Sequence, residues 1–215
     1  MGIILFKFYK KTKVVNEVLD ISTKNHMSER MALIYNRLTN DNLESIKPMF
    51  GVGSKKKQSH NTLQVYFNTV AGEEDRCLSE EQVNAVIEYL ESKNIKTFVY
   101  SEFTIKENAF ITKIKNTSFS KINDLISCMD FVITPDTSIT HLASLFNIPA
   151  IVLFCGGEND YYNKCTMAET WAPLNRISII IEPEVSSFNN KEPVSKIKVE
   201  VITNSIKNML DRIKK

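Results

Sequence analysis

The residues best suited to chemistry lie in the turn Pro135-Asp136-Thr137-Ser138 and, about one helical turn further on, at His141. They follow the apolar run Phe131–Thr134 and lead into Leu142, Ala143 and Leu145 at helical spacing. Asp136 is placed near the helix N-cap, and Thr137 and Ser138 bring hydroxyls and backbone N–H groups to the helix start, where the dipole favours an anion. His141 falls on the same side as the turn. In an open α/β sheet, ligands bind outside the carboxyl ends of the strands, so a phosphate or diphosphate is the guest this turn suits. Residues of these types also do purely structural work, the three polar ones capping a helix and His141 being a satisfied, half-buried histidine.

A second polar cluster follows another strand-like run. In Asn68-Thr69-Val70-Ala71-Gly72-Glu73-Glu74-Asp75-Arg76, Gly72 allows close backbone approach and Arg76 is able to pair with phosphate. Glu73, Glu74 and Asp75 oppose a purely basic pocket, and Arg76 is equally readable as a surface charge. A third loop, Cys155-Gly156-Gly157-Glu158-Asn159-Asp160, follows the run Ala150–Phe154. Three such loops on one sheet edge make a pocket.

The elements that must hold these loops alternate. Strand-like runs are Leu63–Asn68, Thr97–Tyr100, Phe131–Thr134, Ala150–Phe154 and Ile177–Ile181, with helical periods between them. Ser79-Glu80-Glu81-Gln82 has the form of a capping box and opens a helix running to about Asn94. A second helix opens at Ser120 and carries Ile122, Leu125, Ile126 and Met129 on one stripe; the third ends at Asn147-Ile148-Pro149. The last runs from about Pro193 to Lys214, with Val194, Ile197, Val201, Ile206, Leu210 and Ile213 on one face. The pattern predicts one Rossmann-like parallel sheet with helices on both faces over residues 63–215. Before it come an N-terminal arm, 1–50, with a strand-like run and a helix carrying Met27, Met31, Ile34 and Leu38, and a linker, 51–62. The Lys55-Lys56-Lys57 run reads as a solvated loop.

With 215 residues, 43% hydrophobic and 24% charged, the composition is globular and excludes a disulfide scaffold, a fibrous repeat or a disordered tail. Twenty-seven basic against 25 acidic residues leave a net charge of +2, too weak a field to draw nucleic acid. Cys77, Cys128, Cys155 and Cys165 show no CxxC pair and no metal-ligand spacing, which fits free structural thiols in a reducing compartment. Residues 2–9 are apolar but too few to span a membrane, so the cytoplasm is the expected location.

The stretch VITPDTSITHLASLFNIPAIVLF resembles the strand, D-[ST]-G-x-x-H-x-A turn and helix, proline and strand of family 9 glycosyltransferases, the bacterial heptosyltransferases of lipopolysaccharide core assembly. VYFNTVAGEEDRCLSEEQ is similar to that family's strand, small-residue phosphate loop, basic residue and helix. The resemblance implies the C-terminal, donor-binding half of a GT-B enzyme. Asp136, Thr137 and His141 would line the donor's diphosphate and sugar, Arg76 would meet its phosphates, and Asn68 and Gly72 belong to the phosphate loop. Ser138 stands where the family often has Gly, so the backbone would approach phosphate less closely there.

The family has two Rossmann-like domains and this chain has room for one. The resemblance therefore implies that the catalytic base and the acceptor site belong to a first domain outside it, leaving the catalytic residue unassigned. The expected substrate is a nucleotide-diphosphate sugar of the ADP-heptose type, donated to lipopolysaccharide or another lipid-linked or surface glycan, with peripheral attachment at the inner membrane face. No cofactor is expected and, with no D-x-D triplet, no metal. A separate acceptor-domain chain would complete the enzyme; the apolar stripe of the last helix, lacking the first domain as partner, is expected to be covered by the N-terminal arm and by a second copy of this chain in a two-fold dimer. The alternative is a catalytically silent accessory subunit or remnant that keeps the donor-binding fold. A flavodoxin-like or response-regulator-like single domain fits less well, since no acidic cluster suited to holding a metal follows the first strand.

Overall fold

The computed structural model describes residues 5–8, 11–14, 29, 62–115, 118–157, 167–173, 177–185 and 191–213. Near the N-terminus, β1 (Leu5–Phe8) pairs antiparallel with β2 (Lys11–Val14), Leu5 opposite Val14. The expected helix through Met27 and Leu38, apart from Glu29, which is helical, and the linker 51–62, apart from its last residue, lie outside the described residues.

The rest builds one six-stranded sheet from β3 (Gln64–Asn68), β4 (Lys96–Tyr100), β5 (Ile111–Lys113), β6 (Phe131–Pro135), β7 (Ala150–Leu153) and β8 (Ile179–Ile181). Its order is β5-β4-β3-β6-β7-β8 and every neighbouring pair is parallel. Counted from β3, this is the doubly wound order 3-2-1-4-5-6, in which the chain reverses direction across the sheet between β3 and β6. Edge strand β5, absent from the sequence expectation, is too short to stand out as a period-two run. Ile177 lies outside β8 and is exposed, as is Ile180. Pro135 extends β6 by one residue, opposite Leu153.

Helices cover both faces. On one, α1 (Glu80–Ser92) packs Val83, Val86 and Leu90 into a cluster with Val65, Phe67, Ile133 and Ile151. On the other, α2 (Phe119–Ile126), α3 (Ser138–Leu145) and α4 (Met167–Trp171) bury Ile126, Ile139, Ala143 and Ala168 against Tyr66, Val132 and Val152. Central strands β3, β6 and β7 are thus apolar on both sides, as a parallel sheet between helices requires.

Two helices differ from expectation. Ser118, not Ser120, caps α2, its side chain accepting from Lys121 N, and Met129 packs from beyond the helix end. The C-terminal segment is not one helix: a 3-10 turn, Val194–Lys196, ends at Ile197 in extended conformation, and α5 (Val199–Ile213) starts anew. That break resets the helical phase. Ile202, Ile206, Met209 and Leu210 are buried, whereas Val201 is 41% exposed. The stripe expected to lack a partner is therefore largely covered by the sheet and α1, with Val194 and Ile197 in the same core. Gln82 secures this corner: besides closing the capping box with Ser79, its amide donates to Val194 O (3.0 Å) and Ile197 O (2.7 Å).

No helix among the described residues is long and apolar enough to cross a membrane.

Candidate functional site

The carboxyl ends of β3 and β6 lie side by side at the point where the sheet order reverses, and the two polar clusters meet there. Asn68, the last residue of β3, is 3% exposed, and its Nδ2 donates to Val70 O (3.0 Å), Thr134 Oγ1 (3.0 Å) and Thr137 Oγ1 (3.4 Å). Thr134 in turn donates to Pro135 O (2.8 Å) and lies 3.1 Å from Thr137 Oγ1. The proton count closes if Thr137 donates to Thr134, leaving Thr137 Oγ1 to accept from Ile139 N (3.3 Å). Thr137 is the N-cap of α3. Asp136, expected at that cap, is left free of it, because Thr137 already satisfies the helix start and Asp136 N is bonded into the sheet at Leu153 O (3.0 Å).

The Asp136 carboxylate instead faces Arg76. Arg76 Nη1 lies 3.5 Å from both Asp136 O and Asp136 Oδ2, and Nη2 lies 3.5 Å from Glu73 Oε1. Arg76 closes the 3-10 turn Glu74–Arg76, and its Nε–H is buried with no hydrogen-bond acceptor. Burial lifts the Asp136 carboxyl above its ordinary range; the Arg76 guanidinium pulls it back only in part, and Glu73 adds to the rise. The loop that carries Arg76 is tied by Cys77, whose Sγ lies 3.3 Å from Ala71 N and 3.4 Å from Glu73 O.

Ser138 and His141 lie on the exposed side of α3, while Ile139, Thr140, Leu142 and Ala143 face the core. His141 is exposed and meets Trp171 of α4 edge-on, with ring centroids 6.0 Å apart, so it is a surface residue rather than a half-buried one. Gly72 is exposed, and a Cβ there would meet no protein atom within 4 Å, so packing within the chain makes no demand for glycine at this position. Gly156 is the crowded glycine: a Cβ would sit 2.7 Å from Val185 Cγ1 and 3.0 Å from Pro183 Cγ. Its backbone bridges Glu192 in both directions, at 2.9 and 3.0 Å. Residues 158–160 of the third loop, and Cys165, lie outside the described residues. Cys77, Cys128 and Cys155 are free thiols.

Three contributors to the site carry little signal in the sequence. Thr134 reads there only as strand, although a threonine closing an apolar run at a carboxyl end marks a polar junction. Glu73 reads as an opponent of an anion site, and it pairs with Arg76. Lys191 arrives from a distant segment, 3.1 Å from Asp75 Oδ2 and 3.5 Å from Glu73 Oε2. Beside the Arg76 loop lies a cavity of about 540 Å³, lined by Val70, Ala71, Glu74, Cys77, Glu102 and Phe103 among others. Among the described residues no group of three or more His, Cys, Asp or Glu side chains is arranged to hold a metal.

The site combines a helix start, a half-buried arginine with a spare donor and a buried carboxylate beside a nucleoside-sized cavity. That arrangement suits a phosphorylated ligand. Known proteins share both its sequence pattern and its fold. A family model described as glycosyltransferase family 9 (heptosyltransferase) matches residues 11–197. The fold is similar to E. coli heptosyltransferase WaaC with ADP (TM-score 0.55, 13% identity, covering 69% of this chain and 44% of that one). It is also similar to E. coli ADP-heptose lps heptosyltransferase II (0.58, 12%, 73% and 49%). A third likeness is to the glycosyl transferase family 9 from Veillonella parvula DSM 2008 (0.55, 15%, 70% and 46%). The chain thus spans less than half the length of each of these structures. No curated protein matches it.

Proposed function

The chain belongs to glycosyltransferase family 9, and from that premise we propose that it binds a nucleotide-diphosphate sugar at the β3/β6 junction as the donor-binding part of a sugar transferase. The observation that carries this reading is the Arg76–Asp136 pair beside the start of α3, with the buried Nε–H of Arg76 lacking an acceptor. A phosphate oxygen supplies that acceptor, and a planar guanidinium recognises phosphate in two-point fashion. In this reading the diphosphate lies across Arg76 and the first turn of α3, stabilised by hydrogen bonds and the helix dipole without a metal. The nucleoside occupies the 540 Å³ cavity, where Glu102 offers a carboxylate to sugar hydroxyls and Phe103 an aromatic face. The sugar then lies towards Ser138 and His141, on the exposed side of α3.

Inverting transfer needs a carboxylate base at the acceptor hydroxyl and donors that stabilise the departing diphosphate. Residues at this site are suited to the second role. An acceptor-binding part, on the same polypeptide or another, supplies the first, and a match that covers less than half of each of these structures supports that division. ADP is the favoured nucleotide, because the neighbours include a heptosyltransferase with ADP. Lipopolysaccharide or a related surface glycan is the favoured acceptor, reached from the cytoplasmic side of the inner membrane.

Calorimetric titration with ADP, UDP and GDP, free and sugar-linked, tests the reading. Binding of an ADP-linked ligand well below millimolar, lost in Arg76→Ala with Asp136→Ala, is the expected result. Absence of binding by every nucleotide, or binding that ignores both substitutions, overturns it.

A further inference from the structure

Lys191 belongs to none of the recognisable motifs, yet two independent contacts hold it at the site. The adjoining Glu192 is bridged to Gly156, where the crowding by Val185 and Pro183 admits no side chain. Cys155 Sγ, just before that glycine, lies 3.3 Å from Asp75 O. The Lys191 ammonium is thereby set against the 3-10 turn that carries Arg76, 3.1 Å from Asp75 Oδ2 and 3.5 Å from Glu73 Oε2. The other oxygen of Glu73, Oε1, lies 3.5 Å from Arg76 Nη2. A single carboxylate thus bridges two cations that come from opposite ends of the domain sequence.

We infer that Glu73 stands in for a phosphate group, and that Arg76 and Lys191 together receive that phosphate when the ligand arrives and displaces the Glu73 side chain. The inference rests on the diphosphate reading above and adds to it a second cation and an internal competitor. Its physical basis is an exchange of anions. The Glu73 side chain is 61% exposed, so its ion pairs are solvent-screened, hold it weakly, and let it swing into water at little cost. A phosphate brings more charge and more acceptor oxygens to the same two nitrogens, and gives the Arg76 Nε–H the acceptor it lacks. Neither cation is left unguided by the exchange: Asp136 still holds Arg76 Nη1, and Asp75 still holds Lys191 Nζ.

Calorimetric titration of the full chain with inorganic pyrophosphate and with ADP tests this. Glu73→Gln is expected to tighten both by about 3- to 10-fold, the scale of one partly screened charge contact, and Lys191→Met to weaken both by a similar factor. The gain from Glu73→Gln shrinks when Lys191 is already Met. Glu80→Gln, an equal charge change in the exposed first turn of α1, leaves affinity unchanged. The inference is overturned if Glu73→Gln fails to tighten binding, if Lys191→Met has no effect, if the gain is undiminished in the double variant, or if Glu80→Gln matches Glu73→Gln. Should Arg76→Ala abolish binding while Lys191 and Glu73 prove neutral, the diphosphate site stands and this inference falls. If neither pyrophosphate nor ADP binds the unsubstituted chain, both fall.

Discussion

Asp136 is a carboxylate with two opposed environments: a nearly dry position in the turn, which favours the proton, and a guanidinium, which favours the charge. Burial is the stronger influence, so its pKa in the folded chain stands above the ordinary 3.8. The native state then keeps this proton to higher pH than the unfolded chain does. The stability linked to it is fully present below 3.8 and is lost as pH rises through the raised native value. Asp136→Asn removes that dependence. Urea unfolding across acid to neutral pH is expected to show the variant gaining on the unsubstituted protein as pH rises, and parallel curves would contradict it. Asn68 carries a different load, with its amide donating to three oxygens at the junction. Asn68→Ala is expected to cost about 1–3 kcal/mol in urea unfolding, the penalty for buried acceptors left without a donor. Asn68, Arg76, Asp136 and Thr137 are legible in the sequence as residue types after strand ends. Their pairing is not, because Asn68 and Thr137 are 69 positions apart and only the sheet order makes them neighbours.

At the scale of elements, what can be read from the sequence divides by the kind of signal. The capping box at Ser79 and the strand, turn and helix around Asp136 are local patterns, and α1, β6, α3 and β7 follow them closely. The C-terminal helix shows the limit. Its apolar residues fit one continuous stripe on paper, but the chain leaves helical geometry at Ile197, and a new start at Val199 turns Val201 outward and Ile202 inward. A contact from far away in sequence accompanies the break: the buried Gln82 amide donates to the Val194 and Ile197 carbonyls, a pairing that no local periodicity reveals. Two neighbouring substitutions separate the phases. Ile202→Ala is expected to cost about 2–5 kcal/mol as a core truncation, and Val201→Ala under about 0.5 kcal/mol as a surface change. Equal costs in chemical unfolding would argue for the uninterrupted helix. Gln82→Leu is expected to destabilise by about 1–3 kcal/mol, since it leaves two buried carbonyls without their donor.

For the whole molecule, the doubly wound order places every candidate ligand contact on one edge of the sheet. The alternation of strands and helices points to such a sheet, whereas the order of its strands depends on contacts between segments far apart in the chain. Among the described residues, both hydrophobic clusters that hold the sheet draw on positions beyond 62. The β1–β2 hairpin forms a separate two-stranded sheet with no strand in the larger one. We therefore expect the fragment 62–215 to fold alone, to unfold in urea as one cooperative transition, and to bind ADP as the full chain does. The apolar stripe of α5 gives no reason for it to associate, since Ile202, Ile206, Met209 and Leu210 are already buried in the domain core. Light scattering on the fragment should accordingly report a monomer. A fragment that is unfolded, or that melts without cooperativity, would show that the N-terminal residues supply part of the core. One that folds but no longer binds ADP would place a ligand contact within residues 1–61, and so move part of the donor site off the switch point between β3 and β6.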